Sequence, residues 1–153
     1  MDDITSFNIS NNGVLKRIVI GYNCFGKVRV FDLNGLSELE SVVIGKESFM
    51  IDSDERNDGS YRIVNCPKLK SIQIGNKSFQ DYHSFELSNL NSLQSIDIGE
   101  RGFFWTPLFS LTGLIDLIGL NSQIFLNYNQ LDLVILHSII FNRLCLRVIE
   151  WMN

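Results

Sequence analysis

The sequence is poor in the residues from which active sites are usually built. It has only two histidines, His83 and His137, and neither has a second histidine or a cysteine at the spacing a zinc site needs. Its three cysteines, Cys24, Cys66 and Cys145, cannot all pair, which points to a reducing, cytoplasmic setting rather than a disulfide framework. Basic residues are outnumbered, 13 Lys+Arg against 17 Asp+Glu, for a net charge of -4 and a pI near 5.1. That balance lacks the basic face that phosphate contacts require and argues against a general nucleic-acid binder. A long uncharged run is missing as well. The most apolar stretch, Leu131 to Trp151, is interrupted by Asp132, Arg143, Arg147 and Glu150, whereas a spanning helix takes about 20 nearly uncharged residues. The start, Met1-Asp2-Asp3-Ile4, has neither the basic nor the apolar segment of a secretory signal.

What the chain does have is a beat. Four eleven-residue blocks, Leu15 to Phe25, Leu39 to Phe49, Leu69 to Phe79 and Leu93 to Phe103, share Leu-x-[Ser/Arg]-[Ile/Val]-x-Ile-Gly-x-x-small-Phe. Their leading leucines are 24, 30 and 24 residues apart, and periods of this size mark stacked supersecondary units. A second block stands eight residues before each leucine: Phe7-x-Ile9, Phe31-x-Leu33, Tyr61-x-Ile63, Phe85-x-Leu87 and Phe109-x-Leu111. Counting the leucine as coil position 1, apolar residues fall at 1, 4, 6 and 11, then at 17 and 19. Alternation with period two at 4 and 6, and again at 17 and 19, predicts two short strands per coil.

The whole chain, residues 1–153, thus reads as one solenoid domain of about six coils, with regular repeats over 7–121. The interval of 30 comes from an acidic insertion loop at 50–60, and 122–153 form a degenerate last coil or cap in which Leu133, Ile135, Phe141, Leu144, Leu146 and Trp151 still keep time. Columns of like side chains should form as coils stack about 4.8 Å apart. Glycine at position 7 (Gly21, Gly45, Gly75, Gly99) implies a positive φ or a close approach of backbones. Position 21 is asparagine in Asn11, Asn65 and Asn89 but glycine in Gly35 and Gly113; that exchange favours a left-handed turn over an asparagine ladder, which Gly35 would interrupt.

Leu15-x-x-Ile18-x-Ile20-x-x-Asn23-x-Phe25 resembles the conserved segment of the leucine-rich repeat, and 24 residues lie within that family's period. The Ile-x-Ile strands, the Ser-Phe that follows and Asn65-Cys66-Pro67-x-Leu69 are similar to the BspA-like branch found in bacterial surface proteins and protists. The resemblance implies a curved right-handed solenoid, with a parallel sheet on its concave face as a recognition surface, short extended segments opposite, and no reaction. It also departs from the family at position 9, where the usual asparagine survives only as Asn23 and is replaced by Glu47, Lys77 and Arg101. Another group must take over its backbone bonding.

No catalytic set, metal site or cofactor motif emerges. Cys24 shares its position with Ser48, Ser78 and Gly102, where a small side chain suffices; Cys66 shares its own with Leu36, Leu90 and Leu114 and belongs to the core. Cys145, on a strand, has no base beside it. Asp52 to Gly59 lacks the glycine and glutamate offsets of a calcium loop. The candidate site is therefore the outward face at positions 3 and 5: Arg17 and Val19, Ser41 and Val43, Ser71 and Gln73, Ser95 and Asp97. The function expected is non-enzymatic recognition of a protein partner there. The alternative is a structural or adhesive array segment that self-associates through open solenoid ends.

Overall fold

Two apolar alternations per coil become two parallel strands per coil. The structure, a computed structural model, describes residues 4–51, 58–114, 119–122 and 134–136. The odd strands are β1 (Ser6–Ser10), β3 (Val30–Asn34), β5 (Ser60–Val64), β7 (Ser84–Ser88), β9 (Leu108–Thr112) and β11 (Val134–Leu136). The even strands are β2 (Arg17–Ile20), β4 (Ser41–Ile44), β6 (Ser71–Ile74), β8 (Ser95–Ile98) and β10 (Gly119–Ser122). Each set forms its own sheet, ordered β1-β3-β5-β7-β9-β11 and β10-β8-β6-β4-β2. Every pairing is parallel, and no helix occurs among the described residues. The described residues form a β-solenoid of about four turns.

The register follows the sequence grid. Phe7, Phe31, Tyr61, Phe85 and Phe109 stand in one row, and Ile18, Val42, Ile72, Ile96 and Leu120 in another. Ile135 sits beside Leu111, so the beat continues to β11; the rest of 122–153 beyond β11 lies outside the described residues. The extended segments foreseen opposite the Ile-x-Ile sheet are a full second sheet. Its regular strands are five residues long against four in the other. Positions 17 and 19 both point inward, so this side of the coil has its own buried pair and pairs as fully as the first.

Between the sheets two aromatic columns interlock. Phe7, Phe31, Tyr61 and Phe85 stack at centroid spacings of 5.3, 4.9 and 5.0 Å with nearly parallel rings. Phe25, Phe49, Phe79 and Phe103 stack beside them at 5.1, 4.6 and 5.0 Å. Rings of one column meet the other edge-on, as Phe31 meets Phe49 at 5.3 Å, the geometry that ring quadrupoles favour. Truncating one such ring to alanine costs about 3–5 kcal/mol.

Left-handed residues turn each corner. Position 21 has positive φ in Asn11, Gly35, Asn65, Asn89 and Gly113, as the Asn/Gly exchange indicates. A partial ladder coexists with this turn. Asn89 Nδ2 donates to Asn65 Oδ1 at 3.0 Å, and Asn65 Nδ2 donates to Asn34 Oδ1 at 3.1 Å, so Asn34 stands in where Gly35 has no side chain. Positive φ also occurs at Asn23, Glu47, Lys77 and Arg101, and at Phe25, Phe49, Phe79 and Phe103. A bulky residue there is strained by roughly 1–2 kcal/mol, which burial of a phenylalanine, about 1.5–3 kcal/mol, offsets.

The position-7 glycines serve close approach. A Cβ on Gly45 would lie 2.5 Å from the Gly21 carbonyl oxygen, and one on Gly75 would lie 2.4 Å from the Lys46 nitrogen. The insertion leaves the ladder intact, since β3 and β5 pair in register across it. Its first part is not purely polar, because Ile51 is buried; residues 52–57, and with them the calcium-loop question, lie outside the described residues.

Candidate recognition face

All eight sequence-predicted site residues come to one face. Parallel pairing sets Arg17 beside Ser41, Ser71 and Ser95 in one row, and Val19 beside Val43, Gln73 and Asp97 in the next. The buried isoleucines and valine between them point inward, which turns these residues outward. Arg17, Val19, Gln73, Ser95 and Asp97 are exposed, while Ser41, Val43 and Ser71 are half-buried. Val19 is 61% exposed, unusual for a valine inside a strand. Going from β2 to β8, the second row passes from valine to glutamine to aspartate. The hydroxyls of Ser41, Ser71 and Ser95 make no hydrogen bond among the described residues, although neighbouring strands lie only about 4.8 Å apart.

The odd-strand sheet has an outward face that the sequence reading passed over. Asn8, Asp32, Arg62, Glu86 and Ser110 form its middle row. Arg62 Nη1 lies 3.2 Å from Asp32 Oδ1, and Arg62 Nε donates to Glu86 Oε2 at 3.2 Å. The signal was present as Asp, Arg and Glu at one coil position in three successive coils. Those charges are consumed within the sheet. The corners are tied likewise: Lys68 pairs with Glu38 at 2.7 Å, Lys70 with Glu40 at 3.3 Å and Lys77 with Glu47 at 3.7 Å. The hydrogen bond from Lys68 holds the Glu38 carboxyl below its ordinary pKa. A third feature, also missed, is an exposed aromatic corner, where Phe104 meets Trp105 at 4.8 Å and Arg101 lies 5.9 Å from the Phe104 ring centroid.

The backbone-bonding role left vacant at position 9 falls to position 10. Ser48 Oγ donates to the Gly21 carbonyl and Ser78 Oγ to the Gly45 carbonyl, both at 2.8 Å. The same oxygens accept the backbone N–H of Cys24 and Ser48, both at 3.2 Å. Size alone therefore does not account for the small residues there. The hydroxyl bridges coils.

Cys66 is buried, as its leucine-aligned position implies, and burial pushes its thiol pKa up. Cys24 and Cys66 are free thiols. His83 is half-buried, and no group of three or more His, Cys, Asp or Glu could hold a metal ion among the described residues. His137 and Cys145 lie outside them. No helix among the described residues is long and apolar enough to cross a membrane. No family model matches the chain, and no curated protein or solved structure matches it either.

Proposed function

We propose that the chain is a non-catalytic recognition module of the leucine-rich-repeat type, in its BspA-like form with about six coils, working in a reducing cytoplasmic setting. It binds a protein partner across the even-strand sheet. The observation that carries this reading is the contrast between the two faces. The middle row of the odd-strand sheet is closed by the Asp32–Arg62–Glu86 ion pairs, whereas the even-strand sheet presents Val19, Val43 and three unbonded serine hydroxyls. Apolar groups and unspent donors on a rigid sheet favour binding, because little ordering entropy is left to lose. An extended segment or convex surface lying across the strands would meet Val19 and Val43 first and Gln73 and Asp97 last.

Affinity capture followed by a quantitative binding assay tests the face. Wild type and an Arg62→Ala control on the opposite sheet should hold the same partner. A Val43→Glu, Gln73→Lys double variant should lose it while keeping its circular dichroism spectrum. Equal retention by all three proteins would remove the even-strand sheet from consideration.

A further inference from the structure

The even-strand face carries opposite charges at two levels of the stack. Arg17 on β2 is exposed and makes no ion pair among the described residues, and Asp97 on β8 is exposed as well. β4 and β6 stand between them and turn only uncharged residues outward, Ser41 and Val43, then Ser71 and Gln73. In the row just before these strands Lys70 and Glu40 lie 3.3 Å apart and neutralise each other. Three strand spacings of about 4.8 Å set Arg17 and Asp97 about 14 Å apart along the stack. That exceeds the screening length of about 8 Å at physiological salt, so the two do not compensate one another. The face is polarised.

Granting the recognition reading above, we infer that the occupant of this face is an extended peptide segment of the order acidic-x-apolar-x-basic, crossing the strands with its acidic residue at Arg17 and its basic residue at Asp97. The hydroxyls decide between an extended segment and a helix. A helix closes its N–H and C=O groups internally, whereas an extended chain brings main-chain donors and acceptors that must find partners when covered. Ser41, Ser71 and Ser95 offer one hydroxyl per coil, unbonded among the described residues, and Gln73 adds an amide. The span agrees. Extended residues i, i+2 and i+4 share one side and, at about 3.3 Å per residue, reach across about 13 Å, close to the separation of the two charges. Side chain i+2 then falls between β4 and β6, beside Val43, where an apolar group is covered best. The charges fix direction and register, and the apolar contact and main-chain bonds supply the affinity.

Amide NMR titration of the intact chain with end-blocked synthetic peptides tests the assignment. Three probes suffice: Glu-Thr-Val-Thr-Lys, its uncharged counterpart Gln-Thr-Val-Thr-Gln, and Lys-Thr-Val-Thr-Lys. Wild type should bind the first at least about threefold more tightly than either of the others, with shifts on β2, β4, β6 and β8. Arg17→Glu, a change at an exposed position, should turn the preference to the two-lysine peptide. Shifts on the even strands without a preference, a preference that Arg17→Glu leaves unchanged, or no shift with any probe at millimolar concentration would each overturn the inference and leave the face open to another partner. Shifts on β3, β5 and β7 instead would overturn the choice of face along with it.

Discussion

The hydroxyl of Ser48 donates a 2.8 Å hydrogen bond to the carbonyl of Gly21, one coil back. The two groups are 27 residues apart in sequence, yet the 24-residue beat places them in contact at every repeat that keeps its serine. Ser48 is fully buried, and its oxygen also accepts the Cys24 N–H. Removing the hydroxyl strands a donor and an acceptor together. Ser48→Ala should therefore destabilise the fold by about 1–3 kcal/mol, read as a lower urea midpoint at unchanged slope. Ser78→Ala should cost a similar amount, because Ser78 repeats both bonds one coil on.

The position-7 glycines make a second prediction that turns on location. Gly75 has the Lys46 nitrogen 2.4 Å and the Gly45 carbonyl carbon 2.7 Å from where its Cβ would fall, whereas the nearest atom to a Cβ on Gly21 is Cys24 Sγ at 3.9 Å. Gly75→Ala must push two backbones apart and should cost about 1–3 kcal/mol or more. Gly21→Ala, on the open side of the first coil, should leave the thermal midpoint nearly unchanged. If the two variants melted alike, coil-to-coil approach would not be what the glycine column serves.

Much of this architecture was legible because a repeat states its own geometry. Ile18 and Ile20 alternate with Arg17 and Val19, and a period of two can only mean opposite faces of a strand. The eight candidate residues came together for that reason. Three things were not legible. Positive φ at Phe49 and Phe79 has no sequence signature, since phenylalanine is not a left-handed residue and tolerates the corner only because its ring is buried. The serine relay was hidden because Cys24 and Gly102 share the column, so size looked like the common factor. The row through Arg62 lies on the second strand of each coil, which the alternation at positions 17 and 19 does predict, but Asp32, Arg62 and Glu86 become one network only when those strands pair in register. Repetition constrains the positions that stack and leaves free the positions that face outward.

Tyr61 is the one non-phenylalanine among the described rings of its column, and its hydroxyl is buried with no hydrogen-bond partner among the described residues. The hydroxyl of Tyr82, also buried, is bonded to the Val28 carbonyl, so the two tyrosines differ in satisfaction rather than in burial. An unsatisfied buried hydroxyl costs about 1–3 kcal/mol, so Tyr61→Phe should stabilise the protein by an amount of that order, while Tyr82→Phe should not. Burial also pushes the Tyr61 phenol well above its ordinary value of 10.0. The folded state then keeps its proton at a pH where the unfolded chain has released it. Unfolding releases a proton there, and stability falls as pH rises above about 10. Below that pH both states are protonated and the group contributes no slope. Tyr61→Phe should flatten the alkaline fall in a series of urea melts and leave the neutral-pH slope alone. An alkaline fall as steep in Tyr61→Phe as in wild type would mean that the ring is not sealed in the column.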